Sequence, residues 1–175
     1  MAPVIRELRS RAGEVETVVC ATGQHREMLE QVILAFGIAP DLELDLMRAD
    51  QTLAELSASS MIAMDETLER IHPEALLVQG DTTTAMIGAL AAFYRKIPVG
   101  HVEAGLRTGN PFRPFPEEIN RRVIGALATW NFTPTLSASR ALLREGAAPS
   151  AVHLTGNTVI DALLEVTSRP EEPGA

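Results

Sequence analysis

This 175-residue chain is poor in several things, and each shortage closes off a class of function. It has one cysteine, Cys20, so no disulfide can form within the chain, which fits a reducing cytoplasm. Aromatic residues make up only 4 %, too few for a platform on which single-stranded nucleic acid would stack. Acidic residues outnumber basic ones to a net charge of −8, so no basic face offsets a phosphate backbone and nucleic acid is not expected as a partner. No apolar run is long enough to span a bilayer. Arg6, Glu7, Arg9 and Arg11 interrupt the N-terminal stretch that a secretory signal would need to keep apolar. His25, His72 and His153 lack the spacing of metal ligands, so no metal site is expected. The P-loop, G-x-G-x-x-G and G-x-S-x-G motifs are all missing.

The residues that are present read as one globular domain with a full core: 46 % hydrophobic and 22 % charged. Short apolar runs of strand length alternate with helical periodicity. The pattern predicts helices over 2–12, 25–36, 51–71, 83–95, 117–129, 136–146 and 158–167. It predicts strands over 16–21, 42–46, 75–79, 98–102, 130–133 and 151–155. Cys20, inside the first strand, reads as a small buried residue rather than a nucleophile. Such alternation implies βαβ units and an α/β fold with a mostly parallel sheet and right-handed crossovers. The domain is expected over 1–167, and 168–175 reads as a linker.

The opening is unusual. A doubly wound domain normally begins with a strand and a tight turn, and this chain begins in a helix with Pro3 in its first turn. In the common 3-2-1-4-5-6 order the first strand is central. Without it, strands 16–21 and 75–79 either face each other across a slot about 10 Å wide or pair directly.

Three acidic residues mark the candidate site. Asp81 lies in Gln-Gly-Asp-Thr-Thr-Thr (79–84), Glu103 in His-Val-Glu-Ala-Gly-Leu-Arg-Thr-Gly (101–109), and Glu117 in Arg-Pro-Phe-Pro-Glu-Glu-Ile-Asn-Arg-Arg (113–122). The first two fall just past predicted strands, where a parallel sheet gathers its chemistry. Three converging carboxylates suit acid/base work. Each also has a plainer reading: Asp81 as a helix cap, Glu103 as a solvated loop residue, and Glu117 as an acid favoured by the helix dipole. Pro111, Pro114 and Pro116 argue for a stiff, positioning loop ahead of Glu117. His101 reads as a strand residue satisfied by local partners.

The ensemble resembles the non-hydrolysing UDP-N-acetylglucosamine 2-epimerases. The matching segments are TGQHREML (22–29), QTLAEL (51–56), GDTTT (80–84), AAFYRKIPVGHVEAGLRTGN (91–110), PFPEEINR (114–121) and TGNTVIDALL (155–164). The resemblance implies a Rossmann-like, three-layer parallel sheet, one half of a GT-B architecture, with its first strand missing. It also implies reversible inversion at C2 of the GlcNAc unit, by UDP elimination and re-addition, giving UDP-N-acetylmannosamine. By the same resemblance Asp81, Glu103 and Glu117 are the catalytic acids, with Asp81 and Glu103 also binding substrate. Which of them removes the C2 proton is left open. Gln24 matches an activator site, although Asp50 stands where some members carry arginine. No cofactor or metal is implied. The parent enzyme is expected to be a cytoplasmic homodimer that takes UDP-N-acetylglucosamine and feeds cell-envelope polysaccharide synthesis. The family's opening turn carries an arginine and a lysine for the substrate, and Met1–Ile5 matches the segment just after that turn. Met1 is therefore expected to be internal to a longer protein, and the chain alone is expected to be inactive. The alternatives are a non-catalytic remnant or sugar-nucleotide-binding fragment, a GT-B glycosyltransferase, or a hydrolysing epimerase.

Overall fold

Two parallel ladders carry the fold in the computed structural model, which describes residues 1–23 and 35–168. The helix expected over 25–36 falls almost wholly outside the described residues, as do Gln24, His25 and the tail beyond Ser168. The first ladder pairs β1 (Cys20–Ala21) with β2 (Leu42–Glu43). The second runs in the order β3 (Leu76–Gln79), β4 (Val99–Val102), β5 (Trp130–Thr133), β6 (Val152–Leu154), parallel throughout. The helices are α1 (Ala2–Ser10), ahead of β1; α2 (Leu53–Ile71), between β2 and β3; α3 (Thr83–Tyr94), α4 (Glu117–Leu127) and α5 (Leu136–Arg144), each between successive strands of the second ladder; and α6 (Thr158–Thr167), after β6. A parallel α/β architecture is the one that the alternating pattern implies.

Local chemistry sets the helix starts. Thr52 and Glu55 form a reciprocal capping box, so α2 begins at Leu53 rather than at 51. Its last turn closes on His72, which adopts a left-handed φ of 51°. Thr82, Thr135 and Asn157 cap α3, α5 and α6 through their side chains. The core joins Met64 and Leu68 of α2, Val78, three alanines of α3 (Ala89, Ala91, Ala92), Val99 and Ile124 of α4. All three alanines are fully shielded, and their small side chains let α3 sit between α2 and α4. Elsewhere α1 packs on α6, with an Arg6–Glu165 ion pair at 2.6 Å.

The strands expected over 16–21 and 42–46 contract to two residues each, although hydrogen bonding continues at both ends. Val19 O accepts from Asp41 and Leu42, and Leu44 N donates to Ala21 O. Residues 2–10 are helical, and among the described residues no ladder joins β1 to β3. The expected interruption of the sheet is therefore present, and the alternative of direct pairing is not. The two sides still meet: Thr22 Oγ1 donates to Thr84 Oγ1 at 3.5 Å, and Leu44 packs on the core. With a ladder neighbour on one edge only among the described residues, Cys20 is half-buried rather than sealed in the core as expected.

A short ladder with neither outer edge paired among the described residues should open on its own. In native-state hydrogen exchange, the amides of Asp41, Leu42 and Leu44 are expected to exchange through local opening, while those of β4 exchange only with global unfolding. Equal opening free energies for both groups would contradict the interrupted sheet.

Candidate functional site

The carboxyl ends of β3 and β4 lie side by side, and the first two candidate acids come directly after them. Gly80 extends the ladder by donating its N–H to Val102 O at 3.0 Å, then turns the chain with a φ of 73°. Asp81 comes next, but it is not the cap of α3. Thr82 takes that role, accepting from Ala85 N at 3.2 Å. The Asp81 carboxylate instead pairs with Arg121 of α4, Nη2 to Oδ2 at 2.5 Å. Its carbonyl accepts from Asn120 Nδ2 at 2.8 Å, and the same amide reaches Thr83 Oγ1 at 3.4 Å. Beneath the turn, His101 Nε2 lies 2.7 Å from Gly80 O, the local partner expected for this residue.

Glu103 leaves β4 with a φ of 66°, a left-handed conformation that costs a non-glycine residue about 1–3 kcal/mol. Surrounding contacts hold it there. Gln79 Nε2 donates to Glu103 Oε2 at 3.2 Å, and Gln79 Oε1 accepts from the Met1 nitrogen. Ala104 N donates to Phe132 O at 2.9 Å. Gly105 completes the turn at a φ of 83°, and a Cβ there would stand 2.4 Å from Ala138 O. Glycine is needed at 105 for both conformation and space.

The proline-rich loop is pinned at several points. Arg107 makes a bidentate pair with Glu145, at 2.9 and 2.7 Å, which holds that carboxyl below its ordinary range. Thr108 Oγ1 donates to Arg113 O at 2.5 Å. The main anchor is Glu118, which is wholly shielded from solvent. Its carboxylate accepts from Thr108 N at 3.0 Å and Gly109 N at 3.2 Å, and it pairs with Arg122 at 3.3 Å and Arg121 at 3.5 Å. Burial pushes the Glu118 carboxyl up, but the two amides and Arg122 more than offset this and hold it below its ordinary value.

Glu117 precedes this anchor. Residues 117, 120, 121 and 124 share one face of α4. Asn120 and Arg121 meet the Asp81 turn and Ile124 enters the core, so Glu117 sits on the face turned toward the same turn. Its Oε2 is buried with no hydrogen-bond partner among the described residues. The structure thus ties the elements bearing Asp81 and Glu117 through α4, and places Glu103 at the neighbouring strand end beside Gln79. Gln24 lies outside the described residues. Glu118, Asn120 and Arg121 were not singled out by the sequence pattern. Helical spacing was the signal for Asn120 and Arg121, which three and four residues after Glu117 share its face; nothing in the pattern set Glu118 apart.

A family model described as UDP-N-acetylglucosamine 2-epimerase matches residues 6–174. A UDP-N-acetylglucosamine 2-epimerase of Bacillus subtilis is 50 % identical over 163 residues, covering 93 % of this chain and 43 % of the relative. The crystal structure of UDP-GlcNAc 2-epimerase from Neisseria meningitidis bound to UDP-GlcNAc superposes with a TM-score of 0.90 at 48 % identity, covering 94 % of this chain and 44 % of that one. The Methanocaldococcus jannaschii UDP-GlcNAc 2-epimerase in complex with UDP-GlcNAc and UDP gives a TM-score of 0.87 at 33 % identity, again covering 94 % of this chain and 44 % of that one. The chain therefore spans less than half the length of the relatives it matches.

Glu118→Gln keeps the shape of the anchor and removes its charge, leaving two guanidiniums and two amides without it. It is expected to cost about 3 kcal/mol in urea denaturation at neutral pH. The folded carboxyl titrates below the ordinary value of 4.5. Its stabilising contribution is therefore complete above that value and is lost as pH falls through the lower, folded one. The variant should lack this step of acid destabilisation, and an unchanged urea midpoint in the variant would count against the anchor.

Proposed function

This chain belongs to the UDP-N-acetylglucosamine 2-epimerase family, and from that premise we propose that Asp81, Glu103 and Glu117 form the acidic wall of a site for C2 epimerisation of UDP-N-acetylglucosamine. The observation that carries this reading is the convergence of three elements on one sheet edge. Asp81 and Glu103 come after adjacent strand ends, and Glu117 shares the α4 face that grips the Asp81 turn.

The chemistry needs such a wall. One carboxylate takes the C2 proton, the electron pair forms the C1–C2 double bond, and the C1–O bond breaks so that UDP leaves with its pair. A UDP oxygen then adds back to C1, and a carboxyl delivers a proton to the opposite face of C2, giving UDP-N-acetylmannosamine. Two acid/base groups on different sides of one carbon satisfy both proton steps. The third is free to position the sugar. Arg121 balances Asp81 in this structure and is suited to share the charge of a diphosphate once substrate enters. Residues 1–167 would form the N-terminal domain of a cytoplasmic, homodimeric enzyme serving envelope polysaccharide synthesis. A second reading, a non-catalytic remnant that keeps the fold, draws its support from the interrupted sheet.

Calorimetric titration with UDP-N-acetylglucosamine separates the two. Saturable binding to this chain is expected, while an epimerisation assay on the chain alone reads little or no turnover. Absence of binding at millimolar ligand favours the remnant, and full activity of the lone chain overturns the expected need for more protein. Joined to the remaining length of a relative, the chain should turn over substrate. Asp81→Asn, Glu103→Gln and Glu117→Gln should then each lower the rate by about 10²- to 10⁴-fold.

A further inference from the structure

His101 and Asn131 face each other in the β4–β5 ladder, so their side chains project from the same face of the sheet. Both are buried, at 0 % and 1 % exposure. The carbonyl of Gly80, 2.7 Å from His101 Nε2, can only accept, so Nε2 carries the ring proton. Burial above all, helped by Arg107, draws the ring pKa down to about 4, against the pull of the Gly80 carbonyl and Asp81. The ring is therefore neutral at physiological pH, and Nδ1 is a bare acceptor.

That acceptor has no hydrogen-bond partner among the described residues, and neither polar atom of the Asn131 side chain has one either. Buried polar atoms are almost always paired, and here three unpaired atoms lie on two residues directly opposite each other. Their chemistries are complementary. Asn131 offers two donors and an acceptor where His101 needs one donor. A single buried water can join them, accepting from Nδ2 and donating to Nδ1.

We infer that Asn131, through one buried water, holds His101 in its Nε2–H tautomer, and that His101 thereby fixes the Gly80 carbonyl and the Asp81 turn next to it. Both are positioning residues. The turn is then gripped from two sides. His101 holds the peptide entering Asp81 from beneath, and Asn120 and Arg121 hold the peptide and carboxylate leaving it from α4. A nonpolar residue at 131 would fill the same space but leave Nδ1 without a donor and the tautomer held by the Gly80 carbonyl alone, and a ring protonated on Nδ1 cannot donate to Gly80. The inference rests on the proposed function only in giving Asp81 a catalytic part.

The test is a long-range ¹H–¹⁵N spectrum of the histidine rings in the full chain at neutral pH. The expected result is a pure Nε2–H pattern for His101, with slowly exchanging Asn131 side-chain amide protons. Asn131→Leu should shift the His101 ring nitrogens toward a tautomer mixture and displace the amide signals of Gly80, Asp81 and Thr82. An Nδ1–H or charged ring in the unsubstituted chain, fast-exchanging Asn131 amide protons, or ring shifts unmoved by Asn131→Leu would each overturn the inference. The first two readings need no variant to fold. Adding UDP-N-acetylglucosamine to the same sample keeps the two ideas apart. A chain that binds no sugar nucleotide loses the functional reading but not the tautomer, and a wrong tautomer leaves the binding result standing.

Discussion

Glu118 is out of reach of water, yet it accepts from two loop amides and stands opposite two guanidiniums. Removing a carboxylate from water is costly unless nearly every lone pair is met, and here the partners come from two separate segments. Thr108 and Gly109 belong to the loop after β4, while Arg121 and Arg122 lie one turn beyond Glu118 on α4. The buried charge therefore locks the loop to the helix. Arg121 carries the constraint onward, because the same guanidinium that faces Glu118 pairs with Asp81 at the end of β3. If Glu118 were released, the loop, the start of α4 and the partner of Asp81 would all lose their reference point together.

The resulting layout is stiff where the proposed chemistry would need it. Glu103 is held in a left-handed conformation that it would not choose alone, with Gln79 on its carboxylate and a close-packed Gly105 two residues on. Strain of this kind persists only where neighbouring contacts over-determine it. Asp81 is held through its carboxylate, its carbonyl and the peptide before it. Glu117 is the exception, with a buried carboxylate oxygen that lacks a partner among the described residues. A carboxylate oxygen left unpaired out of reach of water is costly in the resting protein.

Much of this was legible in the sequence, because much of it is local. Alternating periodicity pointed to the parallel sheet. The Gly80–Asp81 turn and the Glu103–Gly105 corner were located by their place after apolar runs. Pairings between separate segments escaped. Glu117 and Glu118 look alike in sequence, two acids in a first helical turn. Only the return of residues 108–109 onto α4 makes one a sealed anchor and leaves the other facing the Asp81 turn. Asp81 could not be separated from a cap until Thr82 was seen to take that role. The contraction of the first strands to two residues was equally hidden, since their apolar runs do not reveal how short the paired stretch is.

The central claim is that the three acids line a single sugar-nucleotide site at the carboxyl ends of β3 and β4. A crystal structure of the chain with UDP-N-acetylglucosamine bound tests it most directly. The predicted result places C2 of the sugar within hydrogen-bonding reach of at least one of Asp81, Glu103 and Glu117, with the other two lining the same cleft and the loop after β4 still anchored on Glu118. A ligand seated away from that sheet edge, or the three carboxylates turned to separate surfaces, would contradict it.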